Sequence, residues 1–141
     1  MVYIFLANGF EEIETVTVAD LLRRAEIQVK TVSLMDEKLV YGSRGIAVET
    51  DIFFKEGIYD KCEMLVLPGG MPGTTNLCNH KELNAELKKF YLSGKPVANP
   101  TILSSRSLIR SSASVIVLLT PSSVFSFQLL YFSSLFFLYF F

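Results

Sequence analysis

A chain of 141 residues and net charge −1 is long enough for one domain with a real core, and it lacks the broad basic field that nucleic-acid binding calls for. One histidine excludes a histidine-rich metal centre within the chain, and Cys62 and Cys78 make neither a disulfide framework nor a zinc site. The opening MVYIFLANGFEE has a short apolar run, no basic flank and acids behind it, so a signal peptide is not expected and a reducing, cytoplasmic compartment is.

In chain order, VYIFLA (2–7) is a continuous apolar run closed by Asn8-Gly9, the pattern of a strand buried on both faces of a parallel sheet. EEIETVTVADLLRRAEI follows with Ile13, Val16, Ala19/Asp20 and Leu21/Arg24 stepping at three to four, acids early and Arg23-Arg24 late. This is an amphipathic helix oriented to suit its dipole. IQVKTVSL (27–34) alternates as a second strand. KLVYGSRGIAVET holds two short β-prone runs around Gly42 and Gly45, a hairpin-like excursion.

EMLVLPGG (63–70) is another buried strand, stopped by Pro68-Gly69-Gly70. HKELNAELKKFYLSGK (80–95) predicts a helix with Leu83, Leu87 and Phe90/Tyr91 on one face and Gly94 as its end signal. PVA begins the next strand. Strand and helix alternate, so the class is α/β with a mainly parallel sheet.

The charge is unevenly spread. All 14 acidic residues and 11 of the 13 basic ones lie in 1–98, whereas 99–141 carry only Arg106 and Arg110, with no acid and no glycine. Two segments of different class are expected, 1–98 and 99–141, with the boundary near Ala98.

Ligands of parallel sheets collect at the carboxyl ends of strands, where NGFEEIE and PGGMPGTTN project. Glu11, Glu12 and Glu14 sit at a strand-to-helix junction. They are either solvated first-turn acids, or one of them points into the crevice and exchanges a proton with a nucleophile or substrate. In LPGGMPGTTN the peptide N–H of Gly70 or Met71 could stabilise an oxyanion; the alternative is an ordinary turn. No Gly-Lys-Ser/Thr follows, which rules out a Walker-type loop. Cys62 precedes a strand at the sheet end away from the crevice and reads as structural. Cys78 and His80, two apart, do not share a helix face and are not expected to activate one another. Arg24 and Arg44 read as solvated, with anion binding or subunit bridging as the alternative.

The stretches VYIFLANGFEEIETVTVADLLRRAEIQVKTVSL, GSRGIAVETD and MLVLPGGMPGTTNL, followed by a helix and GKPVA, resemble the DJ-1/PfpI (ThiJ/PfpI) family, its DJ-1-like branch above all, over 1–98. The resemblance implies a flavodoxin-like α/β sandwich of the class I glutamine amidotransferase type, usually homodimeric and cytoplasmic. It implies glyoxalase, deglycase, chaperone or oxidative-stress roles, a small reactive carbonyl as substrate, and neither metal nor cofactor. By resemblance, Glu14 is the glutamate partner of a reactive cysteine and Gly70 the oxyanion donor. Arg24 and Arg44 match arginines near the dimer interface and the cysteine pocket.

The departure comes after GKPVA. The family cysteine falls three places past Ala98, and Thr101 stands there, reached through Asn99 and Pro100. A threonine hydroxyl without base or elbow does not replace a low-pKa thiolate, so an inactive chain is expected. Phe, Leu, Ser and Tyr dominate 99–141, and their codons are rich in pyrimidines. A retained intron, missed splice site or frameshift after Ala98 is the expectation, ahead of a membrane anchor formed by 113–141. A non-catalytic chaperone-like or binding module and a membrane-tethered variant are the alternative functions.

Overall fold

The computed structural model describes residues 1–98. In chain order the elements are β1 (Val2–Leu6), α1 (Glu12–Arg24), β2 (Val29–Ser33), β3 (Leu39–Tyr41), β4 (Ala47–Glu49), β5 (Ile52–Phe53), β6 (Met64–Val66), α2 (Gly73–Asn79), α3 (Lys81–Leu92) and β7 (Val97–Ala98). Five strands form one sheet in the order β5-β2-β1-β6-β7, every neighbouring pair parallel. β3 and β4 stand apart as an antiparallel hairpin. The expectations of 99–141 as a separate segment, of Thr101 at the nucleophile position and of 113–141 as an anchor fall on residues outside the described ones. Among the described residues no helix is long and apolar enough to cross a membrane.

β1 is apolar at every position because both its faces are covered. Tyr3, Phe5 and Ala7 point into a core closed by Leu77 of α2 and by Leu83 and Phe90 of α3. Val2, Ile4 and Leu6 point the other way, into a core closed by Ala19, Val18 and Leu22 of α1 and by Val40 and Val48 of the hairpin. The period-two alternation of a strand thus sends consecutive apolar residues to opposite layers. Tyr59 completes the first core. Its ring meets Tyr3 edge-on at 5.2 Å and stacks on Phe54 at 5.1 Å, and its hydroxyl donates to the Phe54 carbonyl at 2.6 Å. Burial pushes the Tyr59 phenol pKa well up.

α1 corrects the expected apolar stripe. Ile13 is 73 % exposed, and Val16 and Leu21 are about half exposed; the buried positions are Glu12, Thr15 and Ala19. The face turned to the sheet carries Val18, Ala19 and Leu22 along its length, with Thr15 and Glu12 buried in its first turns, where Glu12 has a backbone partner. α3 buries Leu83 and Phe90 as expected but leaves Tyr91 half exposed, and Gly94 follows its end at φ +75°. TTN, read as loop, belongs to α2. Asp51, unremarked in the sequence, ties the sheet edge: its Oδ2 accepts from the Thr31 N–H (2.7 Å), the Thr31 hydroxyl (3.0 Å) and Arg23 Nη2 (3.0 Å).

Candidate functional site

From β1 the chain moves to β2 on one side, whereas β6 lies on the other. Strand order therefore reverses between β1 and β6, and the crevice of a parallel sheet opens at the carboxyl ends there. Residues 8–11, the hairpin tip 42–45 and the loop 67–72 meet at that end. Their backbones are tied directly: Glu11 N–H donates to Gly69 O (2.7 Å), Gly73 N–H to Gly9 O (3.1 Å), Gly9 N–H to Tyr41 O (2.7 Å) and Ser43 N–H to Phe10 O (2.7 Å). Asn8 adds two links, accepting from Tyr41 N–H through Oδ1 (3.0 Å) and from Asn76 Nδ2 through its carbonyl (2.8 Å). The Met71-Pro72 peptide is cis.

Gly70 shows why the loop needs glycine. Its φ is +95°, a conformation L side chains rarely adopt, and a Cβ there would stand 2.5 Å from both Glu11 N and Gly9 O. Glu14, in the first turn of α1, reaches across to this loop, and its Oε2 accepts the Gly69 N–H at 2.7 Å. Among the described residues the N–H groups of Gly70 and Met71 have no acceptor. A half-buried carboxylate and peptide donors thus share one loop, a combination suited to moving a proton and to holding a carbonyl oxygen.

Glu12 is the carboxylate that sequence reasoning did not single out. It is buried, and its Oε1 accepts the Arg44 N–H at 2.6 Å. The Ser43 hydroxyl stands 3.1 Å from Glu12 Oε2 and 3.1 Å from Glu11 Oε2, so two carboxylates converge on one proton. Glu12 occupies the space where Gly42 would carry a Cβ. Burial pushes its carboxyl pKa up, but the bonds from Arg44 N–H, from backbone at its own helix turn and from Ser43 outweigh it, and the net pKa lies below the usual carboxylate range. A depressed folded-state pKa contributes stability above the unfolded value that is lost as pH falls through the folded one. Glu12→Gln is therefore expected to lower the urea midpoint at neutral pH, with the gap from wild type narrowing as pH falls below the ordinary carboxylate range. A gap independent of pH would show that the charge is not what anchors the hairpin.

Of the remaining candidate residues, only Arg44 lies at this end. Arg24 is exposed at the far end of α1, ion-paired with Asp20 at 2.8 Å, roughly 18 Å along the helix from Glu12 at ~1.5 Å per residue. Arg44 is at the hairpin tip, exposed, and held through its peptide N–H rather than its guanidinium. Cys62 is buried at the opposite end of β6, its thiol donating to Met64 O at 3.1 Å, and burial pushes its pKa up. Cys78 is exposed near the end of α2, and the His80 ring turns to Leu83 instead of to it. Among the described residues no cluster of side chains could hold a metal ion.

The fold and crevice define a doubly wound α/β protein of the flavodoxin-like kind, with a carboxylate and a glycine loop at its switch point. The chain belongs to the DJ-1/PfpI family, whose model matches residues 1–114 and so carries the likeness past Ala98. It is 33% identical over 110 residues to protein dj-1beta of Drosophila melanogaster, covering 74% of this chain and 58% of that one. It is 33% identical over 113 residues to deglycase TK1284 of Thermococcus kodakarensis, covering 77% of this chain and 67% of that one. Among solved structures, oxidised Toxoplasma gondii DJ-1 superposes with a TM-score of 0.66 at 34% identity, over 70% of this chain and 53% of that one. The chain thus spans only part of its relatives, as little as 21% of the plant DJ-1 homolog B of Arabidopsis thaliana.

Proposed function

We propose that this chain carries the carbonyl-holding side of a DJ-1/PfpI site without its cysteine nucleophile. It would then bind a small reactive carbonyl compound without turning it over. Glu14 is the proton-exchanging group, and the Gly70 and Met71 N–H groups are the donors to the carbonyl oxygen. The observation that carries the reading is the Glu14 carboxylate bonded at 2.7 Å to the Gly69 N–H at the strand ends, while Cys62 and Cys78 lie away from that loop. The deglycase name of the Thermococcus relative supports the carbonyl class. With no thiolate at the crevice, no carbon–sulfur bond forms and the carbonyl stays intact.

The expected result is no conversion of methylglyoxal to lactate above the buffer blank. Turnover at an enzyme-like rate would overturn the proposal, and its loss in Cys78→Ser would move the nucleophile to α2. A second reading, a non-catalytic binding or chaperone-like module, is favoured by the exposed Ile13, Val16 and Leu21 of α1 and the exposed Tyr41 and Ile46 around the hairpin. Homodimerisation through Arg24 and Arg44 and a cytoplasmic location belong to the same proposal. Fractionation with membranes would favour the tethered variant instead.

A further inference from the structure

His80, the chain's only histidine, stands where two helices meet. Its N–H donates to Leu77 O at 3.2 Å and closes α2, and its Nδ1 accepts the Leu83 N–H at 3.1 Å and opens α3. An imidazole nitrogen accepts only through a lone pair, so this bond requires Nδ1 bare and the proton on Nε2. Protonating Nδ1 aims a hydrogen at the Leu83 N–H and puts a positive charge on the positive end of the α3 dipole. Glu82 Oε2 lies 3.6 Å from that same Nδ1 and would accept the new proton.

We propose that His80 is a pH-operated cap: neutral, it closes the N-terminus of α3 and joins it to α2; protonated, it gives up the Leu83 amide and turns to Glu82. The surroundings allow the exchange. Glu82 is three-quarters exposed, so it can move to meet the ring. The 3-10 turn 54–56 offers the uncharged ring of Phe54, 5.0 Å from the imidazole, while its Glu56 accepts the Phe53 N–H and its Lys55 is exposed. Tyr59 stacks on Phe54, and α2 presents the Leu77 carbonyl and the exposed Cys78. Lys81 and Glu86 of α3 are the other charged side chains of its first turns, and Glu86 is bonded to Lys89 Nζ.

The consequence is local. Leu83 and Phe90 of α3 seal the first core, and α2 leads back from His80 to Gly73, which is tied to Gly9 at the crevice. Releasing the cap loosens the joint between those two helices while the sheet stays paired. The inference stands apart from the carbonyl proposal, since it uses neither Glu14 nor the glycine loop.

The test is amide exchange of the full chain between about pH 8 and about pH 5, the range over which histidine changes charge, corrected for intrinsic rates. Protection over 81–87 is expected to fall about fivefold on acidification in wild type, the size of a lost cap, and to stay constant in His80→Asn, whose amide oxygen caps without titrating. Parallel behaviour of the two chains would overturn the proposal. Nitrogen-15 spectra of the wild-type imidazole give a reading that needs no variant. At the alkaline end they should show the tautomer protonated on Nε2, and finding the proton on Nδ1 would sink the idea. Glu82→Gln should move the release to lower pH, because it removes the carboxylate that receives the proton; an unmoved midpoint would remove Glu82 from the switch.

Discussion

Gly70→Ala is expected to destabilise the chain by about 3 kcal/mol or more, from two effects that add at one position. The backbone sits at φ +95°, which costs an L residue ~1–2 kcal/mol. The new Cβ would also stand 2.5 Å from Glu11 N and Gly9 O and 2.7 Å from Phe10 C, all backbone atoms that no rotamer change can move. Relief requires loop 67–72 to separate from residues 8–11. That breaks the Glu11–Gly69 bond and draws the Gly69 N–H away from Glu14. Urea unfolding reads the loss. A midpoint within experimental error of wild type would mean that the two loops are not in contact. Gly45→Ala is the matched control, because Gly45 has a similar φ of +82° but nothing within 4 Å of its Cβ position. Its cost should be the backbone part alone, and the difference between the two isolates the loop contact.

Phe5→Ala is expected to cost ~3–5 kcal/mol, a large share of the ~5–15 kcal/mol that holds a small domain together. Phe5 is fully buried in β1, the central strand, with Tyr59 at 5.6 Å and Phe54 at 6.0 Å between ring centroids. Removing the ring leaves a cavity that these aromatics cannot fill, since the Tyr59 hydroxyl is bonded to the Phe54 carbonyl and fixes both. Thermal unfolding should fall by at least about 10 °C, whereas Phe5→Leu should stay within about 1.5 kcal/mol of wild type. Equal melting of Phe5→Ala and wild type would place Phe5 outside the core.

Both positions bear on what a reader of the sequence can see. The central strand was legible because VYIFLA is apolar throughout, and only burial on both faces explains a run with no polar alternation. Strand, helix and hairpin followed in the expected order, since each is encoded within about a dozen residues. The buried side of α1 was not legible. Ile13 and Val16 have the spacing of a core stripe, yet the helix turns Val18, Ala19 and Leu22 to the sheet and leaves them outside. Asp51 was missed for the same reason, as its partners Thr31 and Arg23 come from two other elements.

The sequence by itself determined the parallel α/β class, the family and the presence of three acids and a glycine loop at strand ends. Only the tertiary structure decided which backbone or side chain each acid bonds. In GFEEIE, Glu11 stands just before α1 and Glu12 and Glu14 lie ~200° apart around it, so Glu11 and Glu12 reach the hairpin tip while Glu14 faces the other side. Glu11 meets Ser43, Glu12 is buried against the Arg44 N–H, and Glu14 crosses to Gly69. These partners lie 32 to 55 residues away in the chain. Long-range register, not local composition, therefore separates the structural carboxylate Glu12 from Glu14, the one left beside the glycine loop.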